Sequence, residues 1–387
     1  MRIVHVSFFY DERLTTEEEL LEQHYTITGW AEALQRRGAE VIVMSRFIKD
    51  SSLQKNNVQY YFRKDNLGGV FRSWRLPFTF LRQISKLDAD VIHLHNFTLS
   101  LQNFLLRLLL AGKTAVIIQH HGGPLPGIKK RSVHNLLNNV ADGFFFTTIE
   151  QGKEWFIKKK QSDKIMPVME GSTFFNYADR DAASTFSYQD RSIARKKTGM
   201  SGTPVFLWVG RLDDNKDPLT VLEGFATLSE KYPGAGLYMI YSDDKLSGEV
   251  KKKISGSAIL NPRVHLLGKI EHPQMETYYS SADYFVLGSH YEGSGYALSE
   301  ALRCGCIPVI TNIPSFRMMT NDGQLGALWE TGNKNSFIEA VTMVLSKPLA
   351  TEANACIVFF RKALSFDAIA GVAMHHYGEV MKARSKK

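Results

Sequence analysis

Short apolar runs that read as buried strands recur along almost the whole chain, each followed by a stretch of helix length. In the first part they are Ile3–Phe8, Val41–Met44, Val91–Leu94, Ala115–Gln119 and Gly143–Thr147. They are nearly continuous in Val, Ile, Leu and Phe instead of alternating with polar residues. Strands covered on both faces read that way, so the pattern predicts parallel sheets flanked by helices. Between the first two runs a helical stretch ends at Arg37, with Gly38 as its stop. From Asn176 to Pro204 the pattern fails, in a polar segment rich in Asp, Arg and Ser. It restarts with Val205–Val209, Leu237–Tyr241, Val264–Leu267, Tyr284–Leu287 and Ile307–Thr311, and helices are expected over Pro218–Lys231 and Met275–Ala282. A chain of 387 residues is too long for one ordinary domain. The break divides it into two doubly wound α/β domains, and no 20–50-residue repeat suggests a solenoid.

Three cysteines, Cys304, Cys306 and Cys356, cannot build a disulfide framework, which points to a reducing compartment. The longest apolar run, Phe104–Ala111, is interrupted by Arg107 and falls well short of the ~20 residues that cross a bilayer. The N-terminus enters a strand directly and does not read as a signal peptide, so a cytoplasmic protein is expected. Its charge is lopsided. Residues 1–200 hold 28 Lys and Arg against 20 Asp and Glu, whereas residues 201–387 hold 19 of each. The first half is expected to meet something anionic, a membrane surface or a phosphorylated acceptor, unless the excess is a generic solubility surface. Nucleic acid is not expected, because no RNA-binding motif accompanies the basic half. The stretch Arg72–Arg82 interleaves basic and aromatic residues as a segment lying on an anionic lipid surface would. A helix packed on its own core with outward arginines reads the same way.

In doubly wound sheets ligands bind beyond the carboxyl ends of the strands. One such stretch runs from His290 to Leu302. There Gly293 and Gly295 allow close approach of the backbone. A helix expected to begin near Tyr296 would turn its amides and positive dipole end toward the loop, as a phosphate requires. Glu292 and Glu300 bracket it and suit hydroxyl groups. Alone, the stretch also reads as a glycine-rich turn with solvated glutamates. The second is Val205–Pro218, where a strand ends at Gly210 and the cations Arg211 and Lys216 follow. Alone, these are surface cations beside Asp213, Asp214 and Asp217.

Together and in this order the two stretches resemble the retaining glycosyltransferases of family 4 (group 1), whose GT-B fold sets two Rossmann-like domains facing each other across a cleft. The resemblance takes in Gly210-Arg211 with Lys216, Leu267-Gly268, Ala282-Asp283-Tyr284, Glu292 with Glu300, Pro308-Val309, Asp322-Gly323 and Leu364-Ser365-Phe366. In the first half it is carried by Ala89–His95 and by Gln119-His120-His121-Gly122-Gly123. It implies an acceptor-side domain over residues 1–180 and a nucleotide-sugar domain over 190–364. A terminal helix, about 365–387, would pack back on the first.

It also implies roles. Arg211 and Lys216 would hold the donor diphosphate and stabilise the departing charge. Glu292 would contact the transferred sugar and Glu300 the ribose. Gly210, Gly293, Ser294, Gly295, Tyr296 and Ala297 would line the phosphate and sugar, with the base beside Gly268, Lys269 and Ile270. His121, in preference to His120, would orient the sugar, although either histidine alone suits a packed role. The implied reaction moves a hexosyl group, with retention, from a nucleotide-diphosphate sugar to a glycan, lipid-linked or other hydroxyl acceptor, with UDP ahead of GDP. No nucleophile pair is evident, so front-face attack is expected, the leaving phosphate helping to take the acceptor's proton.

No cofactor and no metal are expected. Asp88-Ala89-Asp90 precedes its strand, and Cys304-Gly305-Cys306 lacks the second half of a zinc site. An epimerase, a glycoside phosphorylase or a non-catalytic nucleotide-binding protein of the same fold are the alternatives. Three places depart from the family pattern. Ser7–Tyr10 stands where a glycine-rich loop is usual, Tyr241-Ser242-Asp243 replaces Gly-x-Gly, and Glu170-Gly171 replaces Asn-Gly.

Overall fold

The computed structural model describes residues 1–65, 75–95, 97–110, 112–123, 125–172 and 188–386. The first three residues of the Arg72–Arg82 stretch lie outside them, as do residues 176–187 of the polar segment that begins at Asn176. The chain divides into two compact units, Met1–Gly171 with Ser365–Lys387, and Ser172–Leu364.

The first unit is built on β1 (Arg2–Ser7), β2 (Glu40–Arg46), β3 (Ser51–Lys55), β4 (Val58–Arg63), β5 (Val91–Leu94), β6 (Ala115–Gln119), β7 (Gly143–Phe146) and β8 (Ile165–Pro167). They form one sheet in the order β3-β4-β2-β1-β5-β6-β7-β8, parallel except for the β3–β4 hairpin. Ile3, Val41 and Val43 share a core with Trp30 and Leu34 of the helix Tyr25–Arg36 and with Phe366, Ile369 and Tyr377 of the helix Phe366–Ser385. Val4, Val6 and Val116 face the other way. They meet Phe80, Leu81 and Ile84 of the helix Phe78–Ser85 and Leu106 of the helix Ser100–Leu109. The helix Ile128–Asn138 packs beside the last of these. In the described part of the Arg72–Arg82 stretch, a helix from Phe78 buries Phe80 and Leu81 in this core and leaves Phe78 and Arg82 exposed.

The second unit has six parallel strands, β9 (Val205–Arg211), β10 (Gly236–Ser242), β11 (Val264–Gly268), β12 (Tyr284–Leu287), β13 (Ile307–Thr311) and β14 (Ala327–Trp329). Their order is β11-β10-β9-β12-β13-β14. From β9 the chain winds outward through β10 and β11, then returns to β12 and winds the other way. The crevice at such a reversal is where an open α/β sheet receives ligands. The reversal in the first unit falls between β1 and β5.

Both sheets are the doubly wound α/β architecture that the apolar runs predict. β9 continues two residues beyond Val209, because Gly210 and Arg211 stay in register with Tyr241 and Ser242. The helix expected from Met275 begins earlier, at His272, since Pro273 is tolerated in a first helical turn.

Candidate functional site

At the reversal of the second sheet, the two charged stretches are stitched together. The amide of His290 donates to the Asn215 carbonyl at 2.8 Å, and Tyr291 donates to the Asn215 side-chain oxygen at 3.1 Å. Asn215 Nδ2 donates back to the Tyr291 carbonyl at 3.0 Å. Gly288 makes the approach possible, for a Cβ there would lie 2.9 Å from the Asp217 carbonyl oxygen. The result is an ion pair between Lys216 Nζ and Glu292 Oε1, largely withdrawn from solvent. Ser289 Oγ donates to the same Glu292 oxygen at 2.6 Å, and Lys216 is further held by its own amide, which donates to Asp213 at 2.9 Å. Arg211 ends β9 with its guanidinium mostly exposed, 3.1 Å from Asp213. A largely buried cation and an exposed one thus stand at one strand end.

Beyond Glu292 the loop turns at Gly295, whose φ of +72° favours glycine, into the helix Tyr296–Arg303. Its N-cap, Gly295, has no side chain to bond the first turn, and the helix turns the positive end of its dipole toward the loop. Ser294 is buried, and Tyr296 and Ala297 open the helix. Glu300 is buried in its second turn and accepts from His272 Nε2 at 2.8 Å. Burial, and then the charge of Glu300, holds the Tyr279 phenol well above its ordinary range. Gly268 ends β11 with φ +71°, and Lys269 after it is exposed and 3.4 Å from Glu271. Ile270 is half-buried beside them. His272, Ser289 and Asn215 escape a sequence reading, because each is significant only through a partner 28, 3 or 76 residues away.

In the first unit the histidines after β6 take different environments. His120 is buried, stacked 5.0 Å from the Phe146 ring and 4.6 Å from Trp155. Burial, then the charge of His121, lowers it to about 4. His121 is exposed at the strand end, yet both of its ring nitrogens are engaged. Nδ1 meets the buried carboxylate of Glu170, and Nε2 lies 2.9 Å from His95 Nδ1. His95 Nε2 lies in turn 2.7 Å from His5 Nδ1. A carboxylate only accepts, so His121 donates from Nδ1 toward Glu170. Burial keeps the interior of the line neutral, lowering His5 to about 3 and His95 well below its usual range. His93, in register with His5, bonds Tyr377 Oη at 2.7 Å.

His5, His93 and His95 bring ring nitrogens within 4.8 Å of one another, the one group among the described residues with metal-ligand spacing. The His93 and His95 rings stack at 4.3 Å and 22°, and His5 and His95 at 5.0 Å and 25°. Within the group His5 Nδ1 pairs with His95 Nε2, while Nε2 of His5 and of His93 is buried without a hydrogen-bond partner among the described residues. Of the residues singled out in the sequence, Gly210, Arg211, Lys216, Glu292 and the Gly293–Ala297 turn meet at one reversal of the second sheet. His121 stands at the end of the histidine line in the first unit. Glu170, visible beforehand only as a departure from Asn-Gly, is that line's acceptor.

A family model described as glycosyl transferases group 1 matches residues 190–358, and one described as glycosyltransferase family 4 matches residues 24–153. The GDP-mannose:cellobiosyl-diphosphopolyprenol alpha-mannosyltransferase of Xanthomonas campestris is 25% identical over 61% of this chain and 60% of its own length. The UDP-Gal:alpha-D-GlcNAc-diphosphoundecaprenol alpha-1,3-galactosyltransferase of Escherichia coli is 27% identical over 67% of each. The chain thus spans about three-fifths to two-thirds of these relatives. Among solved structures, the sucrose-phosphate synthase from Thermosynechococcus elongatus superposes with a TM-score of 0.71 over 99% of both chains at 18% identity, a likeness of fold.

Proposed function

Because the chain belongs to the group 1 glycosyltransferases of GT-B fold, we propose that it transfers a hexosyl group from a nucleotide-diphosphate sugar to a hydroxyl of a glycan or lipid-linked acceptor, with retention of configuration. The observation that carries this reading is the Lys216–Glu292 pair beside Arg211 and the start of the Tyr296 helix. In the proposed mechanism Arg211 and Lys216 meet the pyrophosphate, and charge building on the leaving oxygen strengthens both contacts as the sugar departs. Glu292, already shared between Lys216 and Ser289, positions the sugar's hydroxyls. Glu300, steadied by His272, receives those of the ribose. His121 orients the sugar from the first unit. The proton of the acceptor passes to the leaving phosphate oxygen. Relatives named for UDP-Gal and GDP-mannose, both with diphospholipid acceptors, support a lipid-linked acceptor and make UDP and GDP the bases to test first.

The test is a thermal-shift panel of UDP-, GDP- and ADP-sugars on the whole chain, followed by transfer to a diphospholipid acceptor and assignment of the product's anomeric configuration by NMR. One donor is expected to raise Tm in proportion to the logarithm of its concentration, and Lys216→Ala to abolish the shift. No stabilisation by any sugar nucleotide would refute the reading. Cleavage that requires free phosphate would turn it toward a phosphorylase.

A further inference from the structure

The helices Ser100–Leu109 and Ile128–Asn138 carry their polarity inside out. The second buries His134, Asn135 and Asn138, while Ile128, Val133 and Leu136 are exposed, Leu136 to 75%. The first buries Ser100, Gln102 and Asn103 beside Leu106, while Leu108 and Leu109 face outward, Leu108 at 65%. A helix lying between a core and water shows the reverse arrangement. The inversion is fixed by hydrogen bonds. Ser100 Oγ pairs with His134 Nδ1 at 2.9 Å, and Asn103 Nδ2 donates to Asn138 at 3.2 Å. Asn138 donates to the Phe97 carbonyl at 2.8 Å, and Asn135 spans the Trp155 carbonyl and the Ile157 amide at 2.8 and 2.9 Å. Turning either helix to hide its leucines would break these buried bonds.

Charge selects what covers the face. The helix Phe78–Ser85 packs against the first of this pair and exposes Phe78 and Arg82. The three helices carry Arg82, Arg107, Lys129, Lys130 and Arg131 and contain no Asp or Glu. No helix of the described residues is long and apolar enough to cross a membrane. Outward Leu, Ile, Val and Phe ringed by cations fit the plane of an anionic bilayer, with side chains in the acyl boundary and lysines at the headgroups.

We propose that the exposed face of these helices seats on an anionic lipid surface. The proposal is independent of sugar transfer and is tested without donor. The whole chain is sedimented with vesicles of phosphatidylglycerol and phosphatidylcholine, and with phosphatidylcholine alone, at low and high salt. The expected result is binding to the anionic vesicles, weakened at least tenfold by Leu108→Ser with Leu136→Ser and about thirtyfold by Lys129→Gln with Lys130→Gln. Both pairs alter exposed side chains and are expected to melt like the unaltered chain. Hydrogen exchange of the unaltered chain, slowed over residues 128–136 by anionic vesicles, reads the same face without any variant. Failure of the unaltered chain to bind, or equal binding by the leucine variant, overturns the proposal. A dimer in solution that the same leucine changes dissociate, without vesicle binding, also overturns it in favour of a second copy.

Discussion

Lys216 and Glu292 lie 76 residues apart and end on one hydrogen-bonded carboxylate. Lys216→Ala removes a preorganised cation, so transfer should fall about 10²-fold or more in kcat. Glu292→Gln keeps an acceptor for Ser289 but loses the ion pair, and its loss should be smaller. Steady-state kinetics with the donor identified by thermal shift decides the order. Glu300 makes a separate case. It is buried and accepts from His272, so His272→Phe withdraws a donor from an enclosed carboxylate. Donor affinity should weaken about tenfold, which is about 1.4 kcal/mol, with kcat little changed. Isothermal titration against the nucleotide measures it, and unaltered affinity would detach His272 from the site. The residue types that bear charge at strand ends were legible in the sequence, since Arg, Lys and Glu there have few structural reasons to follow glycine. Their partners were not, because a hydrogen bond across 28 or 76 residues leaves no local pattern.

Strands tell the same story at larger scale. Val91–Leu94, Ala115–Gln119, Tyr284–Leu287 and Ile307–Thr311 were legible to the residue, being buried throughout and bounded by polar turns. Ser51–Lys55 was not, because this edge strand is polar and largely exposed and resembles a loop. Its partner Val58–Arg63 alternates buried with half-buried positions. Ile165–Pro167 and Ala327–Trp329 are three residues each, too short for any periodicity. The helix Tyr188–Thr198 is tied to the second sheet by charge. Arg191 and Arg195 reach the two Asp283 oxygens at 2.9 and 2.8 Å, and Asp283 also accepts from the Val205 amide at 2.8 Å. One carboxylate before β12 therefore fastens a helix and β9. Asp283→Ala leaves Arg191 buried without that counter-charge, and stability should drop by about 3–5 kcal/mol. Urea unfolding followed by tryptophan fluorescence tests this, and a loss under 1 kcal/mol (~0.5 kcal/mol is ordinary for a surface change) would show that the network is dispensable.

Across the whole molecule the histidines are distributed unevenly, and that sets how it meets acid. The first unit buries His5, His93, His95 and His120, all lowered chiefly by burial, His5 to about 3 and His120 to about 4. Among the described histidines of the second unit only His265 is lowered, and it is partly exposed. Above about pH 6.5 neither folded nor unfolded chain binds these protons. Between about 6.5 and 4 the unfolded chain takes protons that the folded core refuses, so stability falls as pH falls through that window. At pH 5.5 each such histidine removes about 1.4 kcal/mol, and four remove on the order of 5 kcal/mol. That matches the whole stability of many domains. The first unit should therefore loosen before the second. Hydrogen exchange at pH 7.5 and 5.5, corrected for intrinsic rates, should show β1 and β5 losing protection while β9 and β12 keep theirs. Replacing His93 with Phe, which keeps the ring and removes one titration, should move the loosening to lower pH. If both sheets open together, or β9 opens first, the buried imidazoles do not set the acid limit of this fold.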